Sequence, residues 1–338
     1  MSEDSSLDPK SKTPIYIQIA ELFISKIENG ILSTNMILPS VRDLIKQNNV
    51  SKDTVEKAYS ELKKRGYIYS AVGKGYFVAP INRSDKLNIL FILNNFSLFK
   101  QRIYNSFVET IGDKATVSFQ VFNYNPHTLN EILENNLWEF NYIVITPFFE
   151  INSDPNLCID VLKKIPENKL VLVDGFMPGV NCKKAVFQDF DSDLIAALTE
   201  AKSLISKYKI ISIIVPTYKH QLNAVIERSL RQFGDQNKLK VNAFVDVTNI
   251  ILKKGTLYLI LSDEDLVLLL LKAREAKFKI GIDIGIISYN ESELKDLLNI
   301  SVVSTDFKQI GQKAAELILE DKNCLIKNPC TIINRGSI

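Results

Sequence analysis

The sequence predicts an α/β chain in two parts: a small N-terminal head of three helices and a hairpin, then a larger doubly wound α/β region of two subdomains. Two observations carry this. Residues 14–78 hold three capped helical patterns and two alternating strands that meet at a Gly73-Lys74-Gly75 tip. From Leu87 onward, short apolar runs alternate with helix-length segments, the pattern of strands buried on both faces of parallel sheets.

Thr13 as N-cap and Pro14 at the first helical position announce the first helix, since a proline there loses no hydrogen bond. Ile15, Ile19, Phe23 and Ile27 recur along one face, and Gly30 supplies a stop. The second helix starts at Ser40, whose hydroxyl can cap Asp43 while the Asp43 carboxylate reaches back. It is short, because Asn48-Asn49 makes a tight turn. A third helix starts at Ser51 and buries Val55, Ala58, Tyr59 and Leu62, leaving Asp53, Lys57, Ser60 and Lys64 on the outer face. Strands around Tyr67–Ser70 and Tyr76–Val78 follow, and Lys74 between two glycines is a point charge suited to a phosphate. Residues 40–76 contain eight Lys or Arg against four Asp or Glu, a local basic bias in a chain of formal net charge +2.

The run PIYIQIAELFISKIENG, LPSVRDL and VSKDTVEKAYSELKKRGYIYSAVGKGYFV resembles the winged helix-turn-helix of the GntR family of bacterial regulators, across residues 14–78. The resemblance implies a DNA-binding domain over residues 1–80, with phosphate or base contacts from Ser40, Arg42, Ser51, Lys52, Thr54, Gly73 and Lys74. Two positions depart from the family pattern: Asp53 stands where a threonine is common and Glu56 where an arginine is common. Carboxylates there cannot favour phosphate, but they can accept from a cytosine amino group. Against these roles, Ser40 and Ser51 also serve as plain N-caps, and Lys57, Lys63, Lys64 and Arg65 read as a solvated helix face.

Residues 81–86 are polar and read as a linker, and the sensor region spans 87–338. Its apolar runs are Ile89–Leu93, Tyr142–Ile145, Leu170–Val173, Ile210–Val215, Leu257–Leu261 and Ile282–Ile287, six strands suited to two doubly wound subdomains. The ordered segments LNILFILNN, FNYIVITP, NKLVLVDG, the stretch from VFQDFD to IIVP, GTLYLILSDEDL to IISYNE, ISVVSTDFKQIGQKAAELIL and INRGS resemble the sensor domain of the LacI family, itself similar to periplasmic sugar-binding proteins. A GntR-type head on such a sensor resembles the arabinose-type repressors of Gram-positive bacteria.

In such a domain the ligand lies between the subdomains, outside the carboxyl ends of the strands. The resemblance therefore points to Asn94, Phe99, Arg102, Asp189, Tyr218, Ser262, Asp263, Asn290 and Thr305 as effector contacts. Ser262 also reads as the N-cap of the helix that follows it, and Asn94-Asn95 as a turn. Asp174-Gly175 falls where the family often has Asp-Arg, and the stretch around Asp193 lacks an arginine often found there. What is implied is a homodimeric repressor of a sugar-utilisation operon. It binds a pseudo-palindromic double-stranded operator and is released by a monosaccharide or sugar phosphate, with arabinose and fucose the preferred examples. A scaffold regulator that has lost sensing is the alternative.

Composition narrows the remaining classes. Four cysteines at 158, 182, 324 and 330 lack CxxC spacing, and His127 and His220 are the two histidines, so no metal site is expected. The N-terminus has no apolar run, and Leu266–Leu271 is too short to span a bilayer, which leaves the expectation cytoplasmic with no membrane partner. No P-loop, G-x-S-x-G or strand-linked GxGxxG is present. An aminotransferase-like domain, known behind some GntR heads, exceeds the length left after the head. No cofactor and no enzymatic activity are expected.

Overall fold

Each helix of the head is fixed by its own end chemistry and one buried face. The computed structural model describes residues 7–9, 11, 13–71, 73–79, 86–137, 139–215 and 221–338. Helix α1 (Ile15–Glu28) starts one residue later than its sequence suggests: Pro14 is the cap residue, Thr13 makes no cap, and the Pro14 carbonyl accepts from Ile17 and Gln18. Helix α2 (Val41–Asn48) opens on a complete capping box and closes on Asn49 in the left-handed conformation. Helix α3 (Lys52–Lys64) is capped by Ser51 and buries Val55, Ala58, Tyr59 and Leu62. The Tyr59 ring sits between Phe23 and Tyr76, and its hydroxyl donates to the Pro39 carbonyl at the approach to α2. One residue thus ties the first helix, the second helix and the wing to the third. The wing is an antiparallel pair, β1 (Ile68–Ala71) and β2 (Gly75–Val78), with Ile68 opposite Val78. Gly73 and Gly75 both take positive φ at its tip, which a side-chain-bearing residue resists.

The chain divides into two compact units, Met1–Asp85 and Lys86–Ile338. Of the expected linker, residues 81–85 lie outside the described residues. The second unit holds two six-stranded sheets. Its elements run β3 (Leu87–Leu93), α4 (Leu98–Ile111), β4 (Ala115–Val121), α5 (Pro126–Asn136), β5 (Tyr142–Ile145), α6 (Pro155–Leu162), β6 (Leu170–Asp174) and β7 (Lys184–Phe187). There follow α7 (Phe190–Glu200), α8 (Lys202–Ile205), β8 (Ile210–Ile214), α9 (Gln221–Asn237), β9 (Lys240–Phe244), β10 (Thr256–Ile260), α10 (Asp263–Glu275), β11 (Gly285–Tyr289), α11 (Glu293–Leu297) and β12 (Ser301–Thr305). The unit ends with α12 (Phe307–Leu319), β13 (Cys324–Lys327) and β14 (Cys330–Ile333).

The first sheet has the order β13-β7-β6-β5-β3-β4 and is parallel throughout. The second, β14-β12-β11-β10-β8-β9, is parallel except for β14 at its edge. Apolar clusters cover both faces of each sheet, as continuous apolar strands require. Beyond the six expected strands, six more form: β4, β7, β9, β12, β13 and β14. These include all four sheet edges, where alternation or polar residues replace the apolar run. The run expected at Ile282–Ile287 is shifted. Ile282 lies in a turn, 73% exposed, and β11 begins at Gly285, against which Tyr208 and Leu257 pack so closely that a Cβ would clash.

The chain passes between the sheets three times, after β7, after β12 and after β13. Asn328 fastens all three passages. Its backbone N–H donates to the Phe187 carbonyl (2.7 Å), and its Nδ2 donates to Thr305 Oγ1 (2.9 Å) and the Asp306 carbonyl (3.1 Å).

Candidate nucleic-acid interface and effector cleft

On the head, the residues expected at DNA gather at the starts of α2 and α3 and at the wing tip. Ser51 Oγ accepts from the Thr54 N–H (3.2 Å) and lies 2.8 Å from Thr54 Oγ1, so both hydroxyls are engaged in capping α3. Ser40 donates its hydroxyl to Asp43 Oδ2 (2.6 Å) and accepts from the Asp43 N–H. This bonding is why the Asp43 carboxyl is held below its usual range. Arg42 is exposed, as are Gly73 and Lys74. On the outer face of α3, Lys52 pairs with Glu56 at 3.3 Å and Lys57 with Asp53 at 2.8 Å. The two acidic departures are thus each neutralised by a lysine one turn away. Arg65, read as part of a solvated face, instead ties α3 to α1. Its guanidinium is largely buried and pairs with Glu21 and Glu61, both at 2.7 Å.

In the second unit a cavity of about 190 Å³ opens between the two sheets at the carboxyl ends of their strands. Of the expected effector residues, Asn94, Phe99 and Asn290 line it. Asn94 is buried, and its Oδ1 accepts from Thr146 Oγ1 (2.7 Å), so its role is partly internal. Phe99 stacks on Phe307 at 5.0 Å. Asn290 takes a left-handed φ of 64° at the end of β11, a conformation asparagine tolerates.

Five expected residues lie elsewhere, each already occupied. Arg102 donates to the Glu291 carbonyl (2.9 Å) and the Glu293 carboxylate (2.6 Å), bridging α4 to the start of α11 at a separate hollow that Thr305 also lines. Thr305 donates to the Pro329 carbonyl and accepts from Asn328. Asp189 is held by Ser192 and Lys327. Ser262 caps α10 through the Asp265 N–H, and Asp263 pairs with Lys295 at 2.9 Å. Tyr218 lies outside the described residues.

Lys100, Asp174 and Gln188 were not expected at the site. Lys100 is ion-paired with Asp174 and lies over the Phe148 ring, 4.4 Å from its centre. Gln188 Nε2 donates to the other Asp174 oxygen at 2.6 Å. Phe148 packs so tightly on Gly175 that a Cβ there would sit 2.7 Å from the ring. A larger residue is thereby excluded where the family often has arginine, and a cation from α4 reaches Asp174 instead. The signal was legible: Lys100, Ile103, Phe107 and Ile111 form one stripe, and a lysine opens it.

Four polar atoms of the cleft are buried without a hydrogen-bond partner among the described residues: Asn95 Oδ1, Gln188 Oε1, Tyr289 OH and Asn290 Oδ1. Burial keeps the Tyr289 phenol protonated well above its ordinary range. Asn95 and Gln188 come from the first subdomain, Tyr289 and Asn290 from the second. Buried polar atoms that the fold leaves unpaired cost about 1–3 kcal/mol each, and here both walls of the cavity present them.

The family model described as bacterial regulatory proteins, gntR family, matches residues 15–78. An uncharacterized HTH-type transcriptional regulator of Bacillus subtilis, YurK, is 35% identical over 108 residues, which is 32% of this chain and 40% of that protein. The chain thus spans less than half the length of that relative. The trehalose repressor from Escherichia coli superposes with a TM-score of 0.59 at 15% identity, covering 74% of this chain and all of that one. A dimeric Lac repressor gives 0.61 at 12% identity, covering 74% and 98%. No helix among the described residues is long and apolar enough to cross a membrane. The chain carries a GntR-family helix-turn-helix head, joined to a domain with the fold of LacI-type sensors.

Proposed function

We propose that the protein is a ligand-responsive transcriptional repressor of the cytoplasm. It binds a two-fold operator as a homodimer through its head and releases it when an uncharged monosaccharide occupies the cleft. The observation that carries the sensing half is the set of unpartnered polar atoms supplied by both walls of one small cavity. At about 190 Å³ it falls below the roughly 300–1,000 Å³ typical of drug-sized ligands, a scale suited to a single sugar ring beside Phe99 and Phe148. Charge argues against a phosphate: the cation lining the cavity, Lys100, is already neutralised by Asp174. Gln188 Oε1 is an acceptor by assignment, because its amide nitrogen is committed to Asp174. Hydroxyl donors satisfy such an oxygen and a phosphate dianion does not. Pentoses and deoxyhexoses such as arabinose and fucose are the first candidates, and repression is in keeping with the named repressors of similar fold. We propose no enzymatic role for it.

Calorimetric titration of the full chain with a panel of monosaccharides and their phosphates tests this reading. Binding of a neutral sugar, with the matching phosphate at least tenfold weaker, is expected. A phosphate that binds more tightly than its parent sugar, or no sugar bound at all, overturns it.

A further inference from the structure

The short helix α11 is turned inside out. Its leucines, Leu294 and Leu297, are 40% and 79% exposed, while Lys295 is its one buried residue. Burying an ammonium is unfavourable unless its N–H groups find partners, and here all three do. Lys295 Nζ pairs with Asp263 Oδ1 at 2.9 Å and donates to the carbonyls of Tyr289 and Asn290, both at 2.8 Å.

Those two carbonyls belong to consecutive residues, which in an extended strand direct them to opposite sides. The left-handed φ of 64° at Asn290 turns the chain so that both reach a single nitrogen. The register of β10 against β11 ends at Ile260 and Ser288, and Lys295 supplies the donors beyond it. The same two residues carry the unpaired cleft atoms of the second subdomain, Tyr289 OH and Asn290 Oδ1. Their side chains are therefore aimed by a turn that Lys295 closes from behind. The ammonium also lies 5.9 Å from the centre of the Phe99 ring, a cavity-lining residue of the first subdomain, within reach of a cation–π contact. An apolar side chain of the same length would fill the space but leave both carbonyls without this donor.

We infer that Lys295 is a positioning residue of the effector site: through the Tyr289 and Asn290 carbonyls it holds the turn that presents the Tyr289 hydroxyl and the Asn290 amide to the ligand. This deepens the proposed reading and rests on it for the nature of that ligand. It separates from that reading experimentally, because the position of the turn is measured without a ligand.

NMR of the full chain with tyrosine isotope-labelled at its ring ζ carbon provides the test. Tyr289→Phe identifies the Tyr289 line, and melting curves show that each variant is folded. The parent is expected to give one narrow Tyr289 line. Lys295→Met should broaden or split it, because the released turn samples more than one arrangement, while the Tyr59 line of the head stays in place. Asp263→Ala should keep a single narrow line, since both carbonyl bonds remain. If Lys295→Met does not fold, the double variant Asp263→Asn with Lys295→Met leaves neither charge unpaired and should show the same disturbance. A parent-like Tyr289 line in a folded variant without Lys295, or an equal disturbance in Asp263→Ala, overturns the inference. Calorimetry carries the effect to binding: the sugar of the monosaccharide panel that the parent binds most tightly should bind Lys295→Met about tenfold more weakly, and an unaltered affinity overturns the inference as well. If the parent binds none of these sugars, the sugar reading fails and the NMR result alone decides this one.

Discussion

Lys100 of α4 and Asp174 at the end of β6 are ion-paired in the lining of the cavity between the two sheets, and both side chains are more than nine-tenths buried. The pair is held by Gln188 on one side and the Phe148 ring on the other. It therefore combines the support of the first subdomain with the electrostatics of the cavity. Removing one partner leaves the other charge buried without its counter-ion. We expect Asp174→Ala to destabilise the sensor by about 3–5 kcal/mol in urea denaturation, and Lys100→Met in the same background to restore most of the loss. A single variant as stable as the parent contradicts this assignment.

Asp263, expected at the ligand, is ion-paired within the fold. It faces Lys295, which is 1% exposed and otherwise bonded to the carbonyls of Tyr289 and Asn290. Burial already pushes the Lys295 ammonium below its ordinary range. Asp263→Ala should cost about 1–3 kcal/mol, less than a fully buried pair because the carboxylate is 46% exposed. Sugar affinity measured on the same variant should change less than threefold; a large loss of affinity without loss of stability returns Asp263 to the site.

Two neighbouring carboxyls titrate in opposite directions. The Ser192 hydroxyl bond, helped by Lys327, holds Asp189 below the ordinary value of about 3.9, whereas burial holds Asp193 above it despite the same lysine. Asp189 thus adds stability that is present above about pH 3.9 and is lost as pH falls through its depressed folded value. Asp193 behaves in reverse: its contribution is largest below about 3.9 and declines as pH rises toward its elevated folded value. Carboxyl-resolved NMR titration should place Asp193 above Asp189, and Asp193→Asn should remove the decline. Titration in the opposite order refutes the stated environments.

For the head, Arg42→Ala should weaken operator binding by about 1.5–3 kcal/mol and reduce the salt dependence, with the melting temperature unchanged. Glu56→Gln should raise affinity for all sequences alike, since it frees Lys52 from its intrahelical pair. A lost preference at one base position instead establishes direct readout of a cytosine by Glu56.

Gly311 lets α12 and α4 touch backbone to backbone. A Cβ there would lie 2.1 Å from the Ile103 carbonyl oxygen and 2.9 Å from the Phe107 nitrogen. Gly311→Ala should therefore cost at least about 1–3 kcal/mol of sensor stability, read as a lowered melting temperature. A neutral effect means the helices separate without penalty.

The head was readable in nearly every residue because its signals are local: Ser40 and Ser51 cap within three positions, and the buried face of α3 repeats at helical spacing. The inner strands β3, β5, β6, β8, β10 and β11 of the sensor were readable for the same reason, whereas the inner strands β7 and β12, which carry Lys184 or serines and a threonine, were not. Edge strands such as Ala115–Val121 were not, since half their residues face outward and the apolar run is broken. Nor could the sequence distribute polar residues between ligand and fold. Asp263, Arg102 and Asp189 stand near strand ends, as ligand residues do, yet each is satisfied by a charged partner distant in sequence. Lys100 shows the converse. It sat in an apolar stripe where charge is costly, and the reason for tolerating it lies 74 residues away in Asp174.

Asn328 gives the sensor its mechanical character. Three independent passages between lobes would permit bending, twisting and sliding, but a single amide and its backbone N–H pin all three at one point. Sliding of one lobe past the other breaks these bonds, whereas rotation about that point keeps them. An effector seated in the cleft as proposed would therefore move the lobes by turning them about Asn328.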